Sequence, residues 1–481
     1  MTDGSLATSA EDLHEAIAIA LAKNHRSIAT NGEWCGIAEA MQTATTHADL
    51  GPDFYDIVAP ARFPQHILRY RNQRAAAEVG LDGLDDATWI DHFARFVPLP
   101  GSFPAPLALR YHGHQFQHYN PDLGDGRGFL FAQLRDHTGR LLDLGTKGSG
   151  RTPWSRGGDG RLTLKGGVRE ILATSMLEAL GVDTSRTFSL IETGEALARG
   201  DEPSPTRSAV LVRLNHSHIR IGTFQRLATR LETDNIRRLL DHCVAYYLPE
   251  AQRDDPAAQA LAFFDNVVQR VAWLAAQYMA AGFVHGVLNT DNINITGESF
   301  DYGPWRFLPT YDPAFTAAYF DHSGLYAYGR QPETLLWNLS RLAECILPLT
   351  EKAALVAVLD TFSARFRDAL DVATRWRLGI ADGDMAAWWA WLAASQTPFE
   401  HAFHTCHCGA VPPGAEWDGA RAALDGATPA RPDHPYFHGA PCTMLIDEVE
   451  ALWDPIAGAD DWRPLYDKLA VIDTMREAYG V

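Results

Sequence analysis

The spacing of hydrophobic residues changes along this 481-residue chain, and the changes predict where helices and strands lie. Before residue 96 apolar positions recur at helical spacing, first in AEDLHEAIAIALAKNH and then in FPQHILRYRNQRAAAEVGL. Between about residues 106 and 225, short β-type runs alternate with Gly-rich turns. From about residue 230 to 395 helical patterns dominate, and the clearest is LAFFDNVVQRVAWLAAQYMAAG.

The strand-rich part contains the best-defined elements. GRGFLFAQLRD and RLLDLGTKG predict a β-hairpin joined by HTG. TLKGGVREILATSMLEALG predicts an amphipathic helix that stops at Gly181, and two further strands follow in RTFSLIETG and SAVLVRLN. A strand-rich unit followed by a helical unit is an α+β arrangement. Protein kinases have their lobes in this order, but many other α+β chains do too, so the order alone does not identify a family.

Composition removes some classes of function. The chain is 46% hydrophobic and 21% charged, as globular proteins are, and its net charge of -19 disfavours binding to nucleic acid through a basic face. No apolar run reaches the ~18 residues that a membrane helix needs, and acidic residues stand near the N-terminus where a signal peptide would be basic. We therefore expect a cytoplasmic protein that uses neither nucleic acid nor a membrane as partner. Six cysteines in so long a chain do not indicate a disulfide scaffold.

Two Gly-rich segments could hold phosphate. In LGDGRG, Gly124 and Gly126 permit close backbone approach to a phosphate and Arg127 could pair with it, although a plain tight turn is the simpler interpretation. In TKGSGRTPWSRGGDGR, Lys147 closes a predicted strand, and Glu170 lies on the helix that follows. Only five of the 41 basic residues are lysines, so a lysine here indicates a need for a compact charge, unless it belongs to an ordinary exposed loop.

Two arginines and two acidic motifs complete the candidate chemistry. Arg213 interrupts an apolar strand and Arg220 follows seven residues later, so both could meet one polyanion, or Arg213 could pair internally with a carboxylate such as Glu170. The segment GFVHGVLNTDNINITGESFDYGPW places Asp291 and Asn292 in a polar loop, followed by a predicted short β run at residues 293–296 and then by Asp301-Tyr302-Gly303. Turn chemistry alone could produce NTDN, but an Asp-aromatic-Gly at this distance favours a catalytic and metal-binding loop pair.

These motifs resemble those of the selenoprotein O family of kinase-like proteins. The resemblance covers about half the chain and rests on HGHQF, LGDGR, KGSGRTPWSRGGDGR, VRE, SHIRIG, GFVHGVLNTDN, DYGP and QPETLLWNL. It implies a protein-kinase-like α+β fold of two lobes. It also implies an enzyme that transfers AMP from ATP to Ser, Thr or Tyr hydroxyls of proteins, and the enzyme itself is one of the implied targets. Mg²⁺, or Mn²⁺ in its place, is the implied metal. The family usually has glycine at two positions where this chain has His112 and Gln117, which predicts a stiffer loop over the nucleotide.

The resemblance also implies roles for individual residues. Asp291 would be the catalytic base, Asn292 and Asp301 would bind the metal, and Lys147 would contact phosphate while held by Glu170. The remaining nucleotide-site residues would be Gly124, Gly126, Arg127, Asp159, Gly160, Arg213 and Arg220. An ordinary kinase-type phosphotransferase and a nucleotide-binding scaffold without activity are the alternatives, and the intact charged set disfavours the scaffold.

Four segments follow from these patterns. Residues 1–105 form a helical N-terminal extension, 106–228 a small nucleotide-binding lobe, 229–395 a helical lobe with the catalytic and metal loops, and 396–481 a C-terminal extension. The last segment holds HAFHTCHCG, whose His and Cys side chains suit Zn²⁺, but five candidates within eight residues are too crowded for one tetrahedral site. A structural role is the default interpretation for this cluster.

Overall fold

The computed structural model describes residues 41–200 and 202–481. The strands of this part are β1 (Gln42–Ala44), β2 (Tyr55–Ile57), β3 (Ile67–Arg71), β4 (Leu107–Leu109), β5 (Gly113–Gln115), β6 (His118–Asn120), β7 (Leu130–Arg135), β8 (Leu141–Lys147), β9 (Leu162–Thr163), β10 (Arg186–Leu197), β11 (Thr206–Asn215), β12 (Phe283–His285) and β13 (Trp305–Phe307).

The α-helices lie mainly after the strands. They are α1 (Gln73–Glu78), α2 (Asp86–Phe93), α3 (Leu164–Ala179), α4 (Ile221–Thr229), α5 (Thr233–Tyr246), α6 (Pro256–Ala280), α7 (Gln331–Ile346), α8 (Lys352–Asp360), α9 (Phe362–Leu378), α10 (Met385–Ser395), α11 (Phe399–Thr405), α12 (Asp418–Ala423), α13 (Ile446–Ala459) and α14 (Arg463–Tyr479). The predicted α+β class is therefore confirmed. None of the helices in the described ranges is long and apolar enough to span a bilayer.

One sheet of nine strands organises the first half of the described chain. Its order is β2-β4-β7-β8-β11-β10-β3, with β1 added to β7 and β9 added to β11, and each of these pairs is antiparallel. The predicted hairpin of β7 and β8 is confirmed, as are strands β10 and β11. Strand β8 pairs with β11 so that Gly145 faces Arg213, which brings two of the candidate segments side by side.

Helix α3 packs across this sheet and begins at a defined cap. The Thr163 side chain accepts a hydrogen bond from the Gly166 amide, which satisfies one of the free N–H groups of the first turn. Gly167 allows close approach to the sheet, since a Cβ there would lie 2.3 Å from Leu190 Cδ1. The helix ends where Gly181 adopts φ +76, a left-handed conformation that favours glycine, as predicted.

The prediction of a helical segment before residue 106 is wrong in part, because its described residues form helices α1 and α2 but also strands β1–β3. Residues 67–71, predicted as helix, form strand β3, and α1 starts only after Asn72, whose side chain caps it by accepting from the Ala75 amide. Strands β1 and β2 also join the main sheet. Pairing with β10 decides the conformation of β3, and such a tertiary effect is invisible in local periodicity. The predicted helix AEDLHEAIAIALAKNH lies outside the described residues.

The predicted β run at residues 293–296 is also wrong. Asn294 makes only an isolated bridge to Arg220, and its side chain donates to the Ser217 carbonyl. The strands in this region are β12 and β13, which pair with each other and enclose both acidic motifs. Beyond residue 396, where the sequence pattern gave no clear prediction, helices α11–α14 form and pack onto the helical core.

We predict that Trp89→Ala lowers the free energy of unfolding by about 3–5 kcal/mol. Trp89 is fully buried, stacks on Phe188 at 4.9 Å and donates its indole N–H to Ser189 Oγ. Chemical denaturation followed by circular dichroism measures the change. Leu231→Ala is the matched control, because Leu231 is 86% exposed and its loss should cost less than about 0.5 kcal/mol. Equal stability of the two variants would contradict the conclusion that the segment before residue 106 packs as part of the main fold.

Candidate active site

A cavity of about 680 Å³ lies where the sheet meets the loops between β12 and β13. Eleven of the twelve residues singled out from the sequence line it, and these are Gly124, Gly126, Arg127, Lys147, Asp159, Gly160, Arg213, Arg220, Asp291, Asn292 and Asp301. Glu170 does not line the cavity but contacts Lys147 directly behind it. The fold thus brings together groups that are up to 177 positions apart in sequence.

Lys147 and Glu170 form a buried ion pair. The Lys147 ammonium lies 2.6 Å from Glu170 Oε2, and the two side chains are 7% and 1% exposed. Strand β8 supplies the lysine at its last residue and α3 supplies the glutamate on the face that packs against the sheet. A buried charge is costly unless it is paired, so each residue holds the other in place.

Arg213 and Asp301 extend this ion pair into a network of four charged groups. Arg213 Nη1 lies 3.6 Å from Glu170 Oε1 and 3.3 Å from Asp301 Oδ1, and Asp301 Oδ1 is also 3.2 Å from Lys147 Nζ. Arg213 therefore pairs with an internal carboxylate and also lines the cavity, while its contact with a polyanion stays a prediction. Burial opposes ionisation of Asp301, but Lys147, Arg213 and Arg220 outweigh it and hold its pKa well below the ordinary value.

Asp291 has a different environment from Asp301. Its side chain is buried, and Oδ1 accepts no hydrogen bond from the described residues. Burial raises the pKa of Asp291 to about 7 and the negative charge of Asp301 adds to the rise, although Arg220 opposes both. Two carboxyl groups in one cavity thus differ strongly in proton affinity, a pattern that separates a proton acceptor from a permanently charged ligand.

Arg220 and Asn292 fix the loop that carries Asp291. Arg220 Nη1 donates to the Asp291 carbonyl at 3.2 Å, and its guanidinium lies over the Tyr111 ring at 4.1 Å. Asn292 Nδ2 donates to the Val287 carbonyl at 2.8 Å, so the nitrogen of the side-chain amide is engaged inside the loop. The Oδ1 atom of the same amide is left as the available acceptor. Arg220 and Asn292 therefore hold the loop at two points.

The Gly-rich loop 123–128 packs on Trp154. A Cβ at Gly124 would lie 2.4 Å from Trp154 Cγ, and one at Gly126 would lie 2.9 Å from the Trp154 carbonyl oxygen. Trp154 is itself held by a hydrogen bond from Nε1 to Asp56 Oδ2 at 2.9 Å. Glycine is required here because the loop and the tryptophan approach so closely, and the simple tight-turn interpretation does not explain that approach.

Asp159 and Gly160 lie at the outer rim of the cavity. Arg199 Nη1 pairs with Asp159 Oδ2 at 2.7 Å, and the Arg161 amide donates to Asp159 Oδ1 at 2.9 Å. Gly160 has φ +69, and a Cβ there would lie 2.3 Å from the Gly150 carbonyl carbon. The rim is thus a compact turn in which Asp159 is already paired with protein cations.

The β5–β6 hairpin closes one side of the cavity. Gly113 packs against Asp291, since a Cβ at Gly113 would lie 2.9 Å from Asp291 Oδ1. The turn residues Phe116 and Gln117 have φ values of +50 and +62, the left-handed conformation of a tight hairpin turn. Gln117 is one of the two positions at which the related family usually has glycine, and its positive φ explains that preference.

Sequence reasoning missed several residues that line the cavity. Asp125, Trp154 and Arg156 stand inside the motifs that were singled out, so their positions carried a signal that was not used. Asp125 accepts from the Leu109 amide at 3.0 Å and lies 3.7 Å from Arg220. Tyr111 directly precedes the HGHQF motif, but sequence reasoning assigned it no role, because only the tertiary structure brings it under Arg220.

The His and Cys cluster of the C-terminal part lies away from this cavity. His404 Nε2 is 3.1 Å from the Tyr436 carbonyl, and His407 stacks on Phe437 with ring centroids 3.5 Å apart. Cys406 is fully buried as a free thiol. Within residues 41–200 and 202–481, no group of three His, Cys, Asp or Glu side chains has the arrangement of a metal site. These side chains pack the C-terminal helices together.

The cavity thus brings several cations and two carboxyl groups of different proton affinity together beside a Gly-rich loop, a combination that suits the binding of a phosphate-bearing ligand. A sequence model of the protein adenylyltransferase SelO family matches residues 38–407. The chain is 44% identical over 458 residues to the protein nucleotidyltransferase YdiU of Synechocystis sp., covering 87% of this chain and 95% of the relative. It is 45% identical over 467 residues to the YdiU of Gloeobacter violaceus, covering 90% and 95%.

The chain therefore belongs to the SelO family of protein adenylyltransferases. The resemblance to the selenoprotein O family and the prediction of an enzyme are confirmed.

We predict that Gly124→Ala weakens ATP binding about tenfold, or ~1.4 kcal/mol. The added methyl group would overlap the Trp154 ring and displace the loop from its position over the cavity. Isothermal titration with ATP measures the change. Gly458→Ala is the control, because a Cβ at Gly458, in helix α13, would meet nothing within 4 Å. Unchanged affinity in Gly124→Ala would show that the loop does not contact the nucleotide.

Proposed function

We propose that this protein transfers AMP from ATP to Ser, Thr or Tyr hydroxyls of proteins, itself included, with Mg²⁺ or Mn²⁺ as the metal. The observation that carries the proposal is the buried Asp291 carboxylate, which has an unpartnered Oδ1 in the same cavity as Lys147, Arg213 and Arg220. The family description and the names of the relatives specify nucleotide transfer to protein. The names do not specify the hydroxyl type or the metal; the hydroxyl type is what the resemblance to the family implies, and the metal is proposed from the oxygen ligands in the cavity.

We infer a kinase-like arrangement of two lobes. The support is the placement of Lys147 on a strand of the main sheet, of Glu170 on the helix that crosses it, and of both acidic motifs in the following helical half. The nucleotide-binding lobe at 106–228 then gains strands β1–β3 from the segment before it. The helical lobe spans 229–395, and 396–481 extends it.

The cationic groups have a direct task in this proposal. ATP would bring several negative charges into the cavity, so a fixed set of positive groups is needed to bind it. Lys147, Arg213, Arg220 and Arg127 line the cavity and would contact the phosphates. Glu170 keeps Lys147 in place when the ligand leaves, because the ion pair does not depend on the nucleotide.

The residues present fit a divalent cation bound together with ATP. Asp301 stays ionised, its Oδ2 accepts no hydrogen bond from the described residues, and Asn292, whose amide oxygen is available, lines the same cavity. Hard oxygen ligands of this kind suit Mg²⁺, which typically takes one or two protein ligands and completes its shell with phosphates and water. A bound cation would neutralise developing charge on the phosphates.

The proposed step is a displacement at the α-phosphorus. The acceptor hydroxyl oxygen forms a bond to the α-phosphorus, the bond between that phosphorus and the α–β bridging oxygen breaks, and pyrophosphate leaves. Asp291 takes the hydroxyl proton, and a pKa of about 7 suits a group that must accept a proton at neutral pH. Gly113 and the β5–β6 hairpin cover Asp291, so the acceptor reaches it along the edge of that hairpin.

We predict that Asp291→Ala lowers transfer by ~10²–10⁴-fold while ATP still binds, because the cationic groups and Asp301 remain. Incubation with α-labelled and, separately, γ-labelled ATP in the presence of whole-cell lysate measures which group reaches protein. We expect the α-label on protein and the release of pyrophosphate. Transfer of the γ-label would replace this proposal with the kinase alternative. Tight ATP binding without transfer of either label would favour the scaffold.

We predict that Asp301→Ala abolishes transfer and that excess EDTA does the same to the unchanged enzyme, since Asp301 would bind the metal. The variant should also lose the effect of Mg²⁺ on ATP affinity, which titration with and without Mg²⁺ measures. Asp312→Ala is a suitable control, because Asp312 is exposed and does not line the cavity. Full activity in EDTA would exclude the proposed metal.

A further inference from the structure

One tyrosine of this protein differs from all the others in exposure. The chain has 15 tyrosines, and all of them lie in the described part. Tyr319 is 83% exposed and its hydroxyl makes no hydrogen bond with the described residues, whereas the next most exposed, Tyr466 at 45%, donates to the Arg69 carbonyl at 2.8 Å. An exposed aromatic ring contributes little to folding, so the stability of the fold does not explain Tyr319.

A well-anchored turn presents Tyr319. The Asp321 amide donates to the Ala318 carbonyl at 3.1 Å, which places Tyr319 and Phe320 at the two central positions of a β-turn. Ala318 and Asp321 are 2% and 5% exposed, and Asp321 Oδ2 accepts from the Tyr326 amide at 2.8 Å. Gly, Pro, Asn, Asp and Ser are the residues that favour such turns, so two aromatic residues at its tip indicate a role in an interaction.

The same turn lies beside the opening of the active site. The Phe320 ring contacts the Phe116 ring at 5.9 Å, and the Phe116 amide donates to Asn289 Oδ1 at 3.2 Å. Asn289 lines the 680 Å³ cavity, and Phe116 lies at the turn of the hairpin that covers Asp291. The turn therefore stands next to the edge along which an acceptor hydroxyl would pass.

The anchoring also bears on which active site Tyr319 can reach. Both ends of the turn are buried and Phe320 contacts Phe116, so the turn is fixed at its base while the Tyr319 ring is exposed to solvent. The active site of a second copy can receive it without any unfolding of the turn. The acceptor would then be the phenolic hydroxyl of one copy and the donor the ATP of another.

We propose that Tyr319 is an acceptor of AMP and that the transfer takes place between two copies of this chain. The inference rests on the proposed function. Tyr319 Oη of one copy forms a bond to the α-phosphorus of ATP held by the other, and the bond to the α–β bridging oxygen breaks. Pyrophosphate leaves, and the phenolic proton passes to Asp291 of the copy that holds ATP. The product is a phosphodiester between Tyr319 and AMP.

A mixture of two full-length variants tests this inference. Tyr319→Phe keeps the active site and lacks the acceptor, whereas Asp291→Ala keeps the acceptor and lacks the base. We expect α-labelled ATP to mark the Asp291→Ala chain in the mixture, with the added AMP located on Tyr319 by tandem mass spectrometry. Tyr319→Phe alone should lose the label at this position, and Tyr466→Phe, the control, should keep it.

Several outcomes would overturn the inference. One is label on other proteins of a lysate but none on Tyr319, which would leave the proposed function standing. Another is label on Tyr319 of the unchanged enzyme but never on the Asp291→Ala chain of the mixture, which would exclude transfer between copies. Absence of label from every protein would instead overturn the proposed function itself.

Tyr319→Phe should modify lysate proteins at the rate of the unchanged enzyme. A loss of that activity would make the turn a docking element for substrates and contradict the acceptor role.

Discussion

The contact between Lys147 and Glu170 is the interaction on which the rest of the site depends. Both charges are almost fully buried, so neither is stable in its position without the other. The pair joins strand β8 to helix α3, and Arg213 on β11 and Asp301 after the loop that carries Asp291 attach to it. Four separate parts of the chain are therefore held in one geometry by charge pairing.

Asp291 and Asp301, two of the acidic residues that line the cavity, show how placement sets their chemistry. Asp301 lies among several cations and remains charged, whereas Asp291 lies under the β5–β6 hairpin with less compensation and has a pKa of about 7. The same type of side chain thus provides one group that stays charged and one that can take up a proton near neutral pH. Burial raises the proton affinity in both places, and the number of nearby cations decides the outcome.

The segment before residue 106 is better understood as part of the half that contains the main sheet than as a separate extension. Strands β1–β3 add to the main sheet, and Asp56 on β2 holds Trp154, on which the Gly-rich loop packs. The support for the loop beside the cavity therefore comes from about 70 residues upstream. The C-terminal helices complete the hydrophobic core around α3 from the other side.

The sequence by itself determined the α+β class, the β7–β8 hairpin, helix α3 and most of the charged residues that line the cavity. The local signals were glycines at positions with no room for a side chain, a lysine in an arginine-rich chain, and an Asp-Asn pair followed by Asp-Tyr-Gly. Only the tertiary structure decided that residues 67–71 pair as a strand, that Tyr111 lies under Arg220 and that the hairpin covers Asp291. Strand pairing, the burial of a charge and the distance between two loops are properties of contacts between remote segments, and local periodicity does not encode them.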